Sequence, residues 1–379
     1  MRVAHLCLSN FYVDGFGYQE NDLVRQHVAA GHDVLVLAST ETISASGRLA
    51  HLIPSEYLGR DGAKVRRLPY RRWLPHKIMR KLRMNPGVYE ALARFRPQTI
   101  LFHGTCGWEL RSAARYVRDN PATLLYVDSH EDWNNSARNF LSREVLHRGF
   151  YGPVLRSVMP QVQKILCLST EIMEFVRTNY RIPEERLELY PIGGLPVADE
   201  EYGARREKAR AGLAVLADQI MIVQSGKQTR RKKLLESLVA FRATPDPRLR
   251  FFIAGVLDDE IETEAQALID ADPRITFLGW QSRDALTDIL CAADVYLQPG
   301  TQSATMQQSL CCRCAVILDD APAHKVYQRG NGWFIGGDQS LSAALGELAT
   351  ADLAAMQANS ERLARELLDY SILADRVLR

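Results

Sequence analysis

Short apolar runs alternate along the chain with longer stretches whose apolar positions recur every three to four residues. Residues 3–8, 33–37, 99–102, 123–127 and 164–168 have strand length and almost no polar interruption. Between the first two, residues 18–30 put Leu23, Val24, His27 and Val28 on one helical face and end at Gly31, a natural C-terminal stop. Near-continuous apolar strands separated by helices predict crossover units and a parallel sheet. The pattern breaks at Tyr190-Pro191-Ile192-Gly193-Gly194-Leu195-Pro196, and a charged stretch over 199–210 follows, so a domain boundary is predicted there. The alternation then restarts. Strands are expected at 220–223, 250–254, 275–278, 295–297 and 315–318, with a helix at 234–242 and near-continuous helix over 341–368. The fold class predicted is α/β: two doubly wound Rossmann-like domains facing a cleft. Ligands of such sheets bind at the carboxyl ends of the strands.

A chain of 379 residues fits two domains of about 150–200 residues each. Lys and Arg number 47 against 45 Asp and Glu, so there is no basic excess of the kind a general nucleic-acid binder needs. No apolar stretch approaches the ~20 residues that span a bilayer. The apolar N-terminus reads as a first strand rather than a signal peptide. Seven cysteines, an odd number set mostly in apolar segments, suit reduced thiols in a cytoplasmic protein. Cys311-Cys312-Arg313-Cys314 lacks C-x-x-C spacing, so small apolar packing is the expectation there and no metal is predicted.

Candidate chemistry gathers after the strands. Gly15-Phe16-Gly17-Tyr18-Gln19-Glu20 follows the first strand and opens a helix, where glycines allow close approach and free N–H groups favour an anion. Glu20 breaks the full dinucleotide fingerprint, and a plain turn is the alternative. Ser225-Gly226-Lys227-Gln228-Thr229-Arg230-Arg231-Lys232-Lys233 crowds five basic residues into a predicted strand-to-helix loop, suited to a diphosphate or simply to solvent. Residues 298–310 are polar, small and uncharged. Gly300, Thr301, Gln302, Ser303, Gln307 and Gln308 can offer amides and hydroxyls to a sugar or nucleotide, and no carboxylate lies between Asp294 and Asp319. His103 and the run His130-Glu131-Asp132, preceded by Asp128, fall at the carboxyl edge of the first half. They read as substrate-facing groups or as hydrogen-bonded structural ones. A metal bound by His103, His130 and Asp132 has no spacing signature. Residues 64–83, from Lys64 to Arg83, hold nine Lys/Arg and no Asp or Glu, interleaved with Trp73, Leu74, Ile78 and Met79. That composition suits an anionic membrane surface, an acceptor carrying a pyrophosphate, or a solvated charged face.

Taken together these motifs resemble the GT-B glycosyltransferases of family 4, in the branch that builds bacterial surface polysaccharides. The resemblance runs through Leu6-Cys7-Leu8-Ser9, residues 14–21, Gly31-His32-Asp33-Val34, residues 126–132, Asn135-Ser136-Ala137, Gly226-Lys227 with Lys232, Ala240-Phe241, Ala293-Asp294-Val295, Pro299-Gly300 and Gly330-Asn331-Gly332. It implies a retaining transfer of a sugar from a nucleotide-diphosphate donor, held by the C-terminal domain, to a glycan or lipid-linked acceptor on the N-terminal one. By motif position, Gly15, Gly17 and Gly226 approach the diphosphate or donor sugar. Lys227 and Lys232 neutralise the phosphates, with Lys233 as the alternative to Lys232. His130 faces the donor sugar. His103, Asp128, Glu131 and Asp132 lie on the acceptor side. No metal or other cofactor is implied. The domains expected are 1–191 and 192–369, with 370–379 a terminal helix packing back on the first. The place expected is the cytoplasm, peripheral on the inner face of the membrane through residues 64–83. Three positions depart from the family: Gly300 and Gln308 stand where two glutamates eight apart are usual, and Lys227 replaces the commoner arginine.

Other classes stay open on the residues alone. A GT-B-fold protein that binds a nucleotide or glycan without transfer would explain the missing glutamates. A sugar-nucleotide epimerase would need carboxylates in the C-terminal loop, which has none. A dehydrogenase lacks the glycine fingerprint and the ribose-binding acid.

Overall fold

The computed structural model describes residues 1–44, 47–133, 136–137, 139–336 and 339–379. Asn135, one of the motif positions above, lies outside them. The chain divides into two compact units, Met1–Pro191 with Tyr370–Arg379, and Ile192–Asp369.

The first unit is built on β1 (Arg2–Cys7), β2 (Asp33–Ser39), the small hairpin β3 (Glu41–Ile43) and β4 (Leu49–His51), β5 (Glu56–Leu58), β6 (Lys64–Leu68), β7 (Thr99–His103), β8 (Leu124–Ser129), β9 (Ile165–Cys167) and β10 (Leu187–Leu189). Eight of these form one sheet in the order β10-β9-β8-β7-β1-β2-β6-β5. Only β5 runs antiparallel to its neighbour. Val3 to Cys7 and Leu101 to His103 are all buried, which is why the central strands read as unbroken apolar runs. The order reverses between β1 and β7, so the carboxyl ends of these two strands flank the switch point where such sheets bind ligands. The helix Tyr370–Arg376 packs on this unit: Leu23, Tyr190, Leu373 and Val377 share one buried cluster, and the Tyr190 hydroxyl donates to the Leu373 carbonyl at 2.8 Å.

The basic stretch at 64–83 is not one amphipathic segment. Its first five residues are β6, paired in parallel with β2 inside the sheet. Arg67 is 2% exposed. Its guanidinium donates to the carbonyls of Tyr12 at 2.9 Å and Ser39 at 3.3 Å and to the Tyr57 hydroxyl at 3.1 Å. This cation therefore ties β6 to its neighbours and faces no membrane or acceptor. Lys64 at the start of β6 is exposed, and beyond the strand the exposed cations resume at Arg71 and continue around the helix His76–Leu82, whose Met79 is buried with Tyr70 and Met84.

The second unit is a six-stranded parallel sheet of β11 (Ile220–Gln228), β12 (Leu249–Leu257), β13 (Ile275–Gly279), β14 (Val295–Gln298), β15 (Ala315–Asp319) and β16 (Gly332–Ile335), ordered β13-β12-β11-β14-β15-β16. Its switch point lies between β11 and β14. Apolar clusters cover both faces. The predicted basic loop at 225–233 is strand as far as Gln228, because β12 pairs with β11 over its full length. A Cβ on Gly255 would lie 1.9 Å from the Gly226 carbonyl oxygen, so glycine permits that pairing where the basic segment begins. Residues 341–368 form two helical stretches, 341–347 and 353–368, rather than one.

Arg67→Leu would leave two buried carbonyls without their donor. We expect it to destabilise the protein by about 2–4 kcal/mol. Urea unfolding at pH 7 measures this, and an unchanged midpoint would contradict the assigned role.

Candidate functional site

In the first unit the site grows from the carboxyl ends of β7 and β8. Asp128 has no exposed surface. Its Oδ1 accepts the Gly104 N–H at 2.7 Å and lies 3.3 Å from His130 Nε2; its Oδ2 faces His103 Nδ1 at 2.5 Å. Gly104 has φ +95°, and a Cβ there would meet the Ser9 Cβ at 2.6 Å, so glycine is what brings this N–H to the carboxylate. Burial alone would raise the Asp128 carboxyl; the charges of His103 and His130 override it and hold it well below the ordinary carboxylate range. Against its own burial, the Asp128 charge pushes His130 up to about 9. Half-buried, with 38% of its side chain exposed, His130 is a cation at neutral pH at the rim of this cluster.

Glu131 is buried and its Oε2 accepts the Thr105 hydroxyl at 2.8 Å, the Ser129 hydroxyl at 3.0 Å and the His130 N–H at 3.2 Å. It braces the turn that carries His130. Asp132 follows at intermediate exposure, its carbonyl accepting the N–H groups of Ser136 and Ala137. Gly15, at φ +73°, and Gly17 lie in the exposed turn after β1. The helix they lead into, Gln19–Ala29, already carries Glu20 and Asp22 in its first turn, and both are buried. Those carboxylates complement the helix dipole that an incoming anion would otherwise use.

Two functional candidates were not legible in the sequence. His5, in the middle of β1, and His27, on the helix Gln19–Ala29, are buried beneath His103. His5 Nδ1 lies 3.0 Å from His103 Nε2, His5 Nε2 lies 2.9 Å from His27 Nδ1, and His27 Nε2 lies 2.9 Å from the Ala374 carbonyl. A histidine inside an apolar strand was the available signal. Burial drives His5 well below the ordinary histidine range and His27 down to about 4. Beside this cluster a cavity of about 640 Å³ is lined by Phe11, Lys77, Lys81, Arg83, Glu131 and Leu146 among others.

In the second unit the carboxyl ends of β11 and β14 meet. A Cβ on Gly300 would lie 2.1 Å from the Arg231 carbonyl oxygen, so glycine lets the two loops touch. Lys232 then reaches across, its Nζ donating to the carbonyls of Thr301 at 2.7 Å and Gln302 at 3.3 Å. Burial, with Arg231 alongside, lowers Lys232 to about 8. Lys227 is 68% exposed and pairs with Asp258 at 2.8 Å. Lys233, at φ +54°, lies 3.4 Å from Asp319. Ser303 caps the helix Ala304–Cys311, accepting the Met306 N–H at 3.2 Å and donating to Gln298 at 3.0 Å. The two glutamines serve the interdomain segment instead. Gln307 accepts the Gly193 N–H at 2.8 Å and donates to the Tyr327 hydroxyl at 3.0 Å. Gln308 holds Leu195 through both its N–H and its carbonyl, at 3.0 Å each. The structure thus joins Lys232, Gly300, Thr301 and Gln302, and draws Gln307 and Gln308 to backbone.

Among the described residues, one set with metal-ligand chemistry converges: Glu41, His51 and His76, with ligand atoms within 4.8 Å of one another. Arg80 Nε already sits 2.7 Å from the Glu41 carboxylate and the Tyr70 hydroxyl donates to it at 2.8 Å, so the negative charge a cation needs is taken. Cys311, Cys312 and Cys314 are buried free thiols. No helix of the described residues is long and apolar enough to cross a membrane.

Residues 15–193 match the glycosyl transferase 4-like domain family. No curated protein matches the chain by sequence. Among solved structures, HepE of Anabaena in complex with UDP is 14% identical, with a TM-score of 0.65 over 100% of this chain and 98% of that one. WaaG, a glycosyltransferase involved in lipopolysaccharide biosynthesis, is 17% identical, with a TM-score of 0.63 over 99% and 98%. Sucrose-phosphate synthase from Thermosynechococcus elongatus is 16% identical, with a TM-score of 0.65 over 99% and 96%. At these identities the likeness is one of fold.

The buried histidines set a pH dependence. The unfolded chain takes up a proton at His27 below about 6.5, whereas the folded chain does so only near 4. The His27 contribution is therefore full above pH 6.5 and is lost as pH falls toward 4, a loss of about 3 kcal/mol. His130 acts in the opposite sense, its contribution present below 6.5 and lost as pH rises through 9. Thermal melts across pH 4–9 check this; a flat acid limb would contradict the neutral His27.

Proposed function

We propose, from the premise that residues 15–193 are a glycosyl transferase 4-like domain in a chain of GT-B glycosyltransferase fold, that this protein moves a sugar from a nucleotide-diphosphate sugar to a glycan or lipid-linked acceptor. The reading places the reaction in bacterial surface polysaccharide or lipopolysaccharide biosynthesis. The observation that carries it is Lys232. Its ammonium is held at the switch point of the second sheet by backbone carbonyls, and burial has lowered its pKa to about 8. An anion arriving there restores what burial removes. A diphosphate leaving group gains charge as the glycosidic bond breaks, and a preplaced cation stabilises that change more than it stabilises the bound donor. HepE was crystallised with UDP and with UDP-glucose, which supports a nucleotide-diphosphate donor.

In this reading Lys232 and Lys227 neutralise the diphosphate, and they do so without a metal ion. Lys227 first gives up Asp258. Lys233 stands in reserve beside Asp319, and Thr301, Gln302 and Ser303 supply hydroxyl and backbone groups. The His130 cation, held by Asp128, meets the donor sugar. Transfer proceeds with retention and the sugar is a hexose or related unit, as the resemblance implies. The acceptor carries an anionic group, for which the cavity beside Glu131 offers Lys77, Lys81 and Arg83. Exposed Arg71, Arg72, Trp73, Lys77 and Lys81 give a peripheral contact with an anionic cytoplasmic membrane surface. The lack of any carboxylate from 295 to 318 favours a second reading, a non-catalytic GT-B-fold protein that binds a nucleotide or glycan. Transfer itself separates the two.

Two outcomes are expected. Incubated with nucleotide-diphosphate sugars and polyprenyl-pyrophosphate glycans, the protein releases nucleoside diphosphate and adds one sugar, detected by mass spectrometry. Lys232→Ala lowers kcat/KM by roughly 10–150-fold, the size of one charge-assisted hydrogen bond. Nucleotide binding without transfer would favour the second reading. For the membrane contact, wild type sediments with anionic vesicles at low salt, and replacing Arg71, Arg72, Lys77 and Lys81 by Gln releases it. Arg80 is left in place because it pairs with buried Glu41. No sedimentation of wild type would end the membrane reading.

A further inference from the structure

Three buried histidines join the backbone carbonyl of Ala374 to the carboxylate of Asp128 in one unbroken row. The contacts are Ala374 O to His27 Nε2 at 2.9 Å, His27 Nδ1 to His5 Nε2 at 2.9 Å, His5 Nδ1 to His103 Nε2 at 3.0 Å, and His103 Nδ1 to Asp128 Oδ2 at 2.5 Å. None of the three rings is more than 1% exposed, so no bulk water completes their bonding. Both ends of the row are acceptors. A carbonyl oxygen has no proton to give, and an ionised carboxylate has none either.

Counting protons then fixes the state of the row. Four hydrogen bonds need four N–H groups, and three neutral imidazoles supply three. The row therefore holds one proton more than neutral histidines would carry. Its direction is set from the carbonyl end. His27 donates through Nε2 to Ala374 and so accepts at Nδ1. His5 donates through Nε2 and accepts at Nδ1. His103 donates through Nε2, and its Nδ1 must also carry a hydrogen to bond Asp128. The extra proton sits beside the carboxylate, where Coulomb attraction is greatest.

We propose that the Ala374–His27–His5–His103 row traps one proton on His103 and that His5 and His27 are positioning residues for the Asp128–His130 pair. Asp128 divides its two oxygens between His103 on one side and Gly104 with His130 on the other. With His103 a double donor, its Nδ1–H holds Oδ2, and Oδ1 stays turned toward His130. Were His103 to lose its second proton, its Nδ1 would repel Oδ2 and the carboxylate would rotate, taking His130 with it. The consequence for catalysis rests on the glycosyltransferase reading; the proton count does not.

Other ionisable groups face the row. Glu20 lies near His103, Asp128 and His130; Glu131 adjoins His130; Cys7, Cys167 and Tyr190 approach Asp128; His32 and Asp375 approach His27. The Glu20 carboxyl feels the charges of His103 and His130, and burial raises its pKa.

The test is long-range ¹⁵N–¹H correlation on the full chain labelled at histidine, which reports each ring's tautomer. At pH 7, His27 and His5 should each show a neutral ring protonated at Nε2, and His103 should show both nitrogens protonated. A singly protonated His103, or His27 protonated at Nδ1, overturns the proposal, and neither result depends on any enzymatic activity. His5→Gln preserves one acceptor and one donor and should keep the doubly protonated His103. His5→Leu removes both and should abolish it while lowering kcat at least tenfold with little change in KM. Should His5→Leu fail to fold, the wild-type spectrum and His5→Gln still decide the question. If the tautomers are as stated and no donor is turned over, the proton row stands and the glycosyltransferase reading falls.

Discussion

The first unit depends on a carboxylate that touches no water. Asp128 ends a central strand, and a charge at that depth is tolerated only where donors surround it. Gly104 supplies a backbone N–H that its positive φ brings into reach; His103 and His130 supply ring N–H groups. Each of these donors is held in turn by something else: Gly104 by the absence of a side chain against Ser9, His103 by His5 and His27, His130 by the turn that Glu131 braces. The terminal helix enters the same arrangement through the Ala374 carbonyl, so a residue near the end of the chain helps fix a site built after β7 and β8.

The second unit solves a different problem. It holds the Lys232 ammonium at the end of a parallel sheet on backbone carbonyls. Two glycines make this possible. Gly255 lets β12 follow β11 into the basic segment, and Gly300 lets the loop after β14 touch the backbone at Arg231. Lys232 is then held by carbonyl oxygens, which orient an ammonium while leaving its charge available. Lys227 and Lys233 differ in kind, since each already has a carboxylate nearby.

Much of this fold was legible because buried parallel strands read as apolar runs: β1, β2, β7, β8, β12, β14 and β15 all carry that signature, and the doubly wound α/β class follows from their alternation with helices. β6 was hidden because Arg67, a buried cation bonded to carbonyls, makes its strand look like part of a charged surface segment. The extension of β11 was hidden because Gly226-Lys227-Gln228 has the composition of a loop while its pairing with β12 makes it strand. Of the site, His103, Asp128 and His130 were visible as polar residues at strand ends. His5 and His27 were not, since their importance lies in a contact across 22 positions that spacing does not encode. Gln307 and Gln308 were misleading for the same reason: a polar helix start suggests a ligand, whereas here the amides hold the backbone at Gly193 and Leu195.

The central claim is that the Lys232 cradle receives a nucleoside diphosphate. Titration calorimetry of the whole chain against UDP, GDP, CDP and dTDP tests it most directly. The account predicts that one of the four binds in the micromolar range, corresponding to about −8 kcal/mol at 1 μM. It further predicts that this binding weakens as salt is raised, because a charge meets a charge. Heat signals no larger than dilution for all four would contradict it.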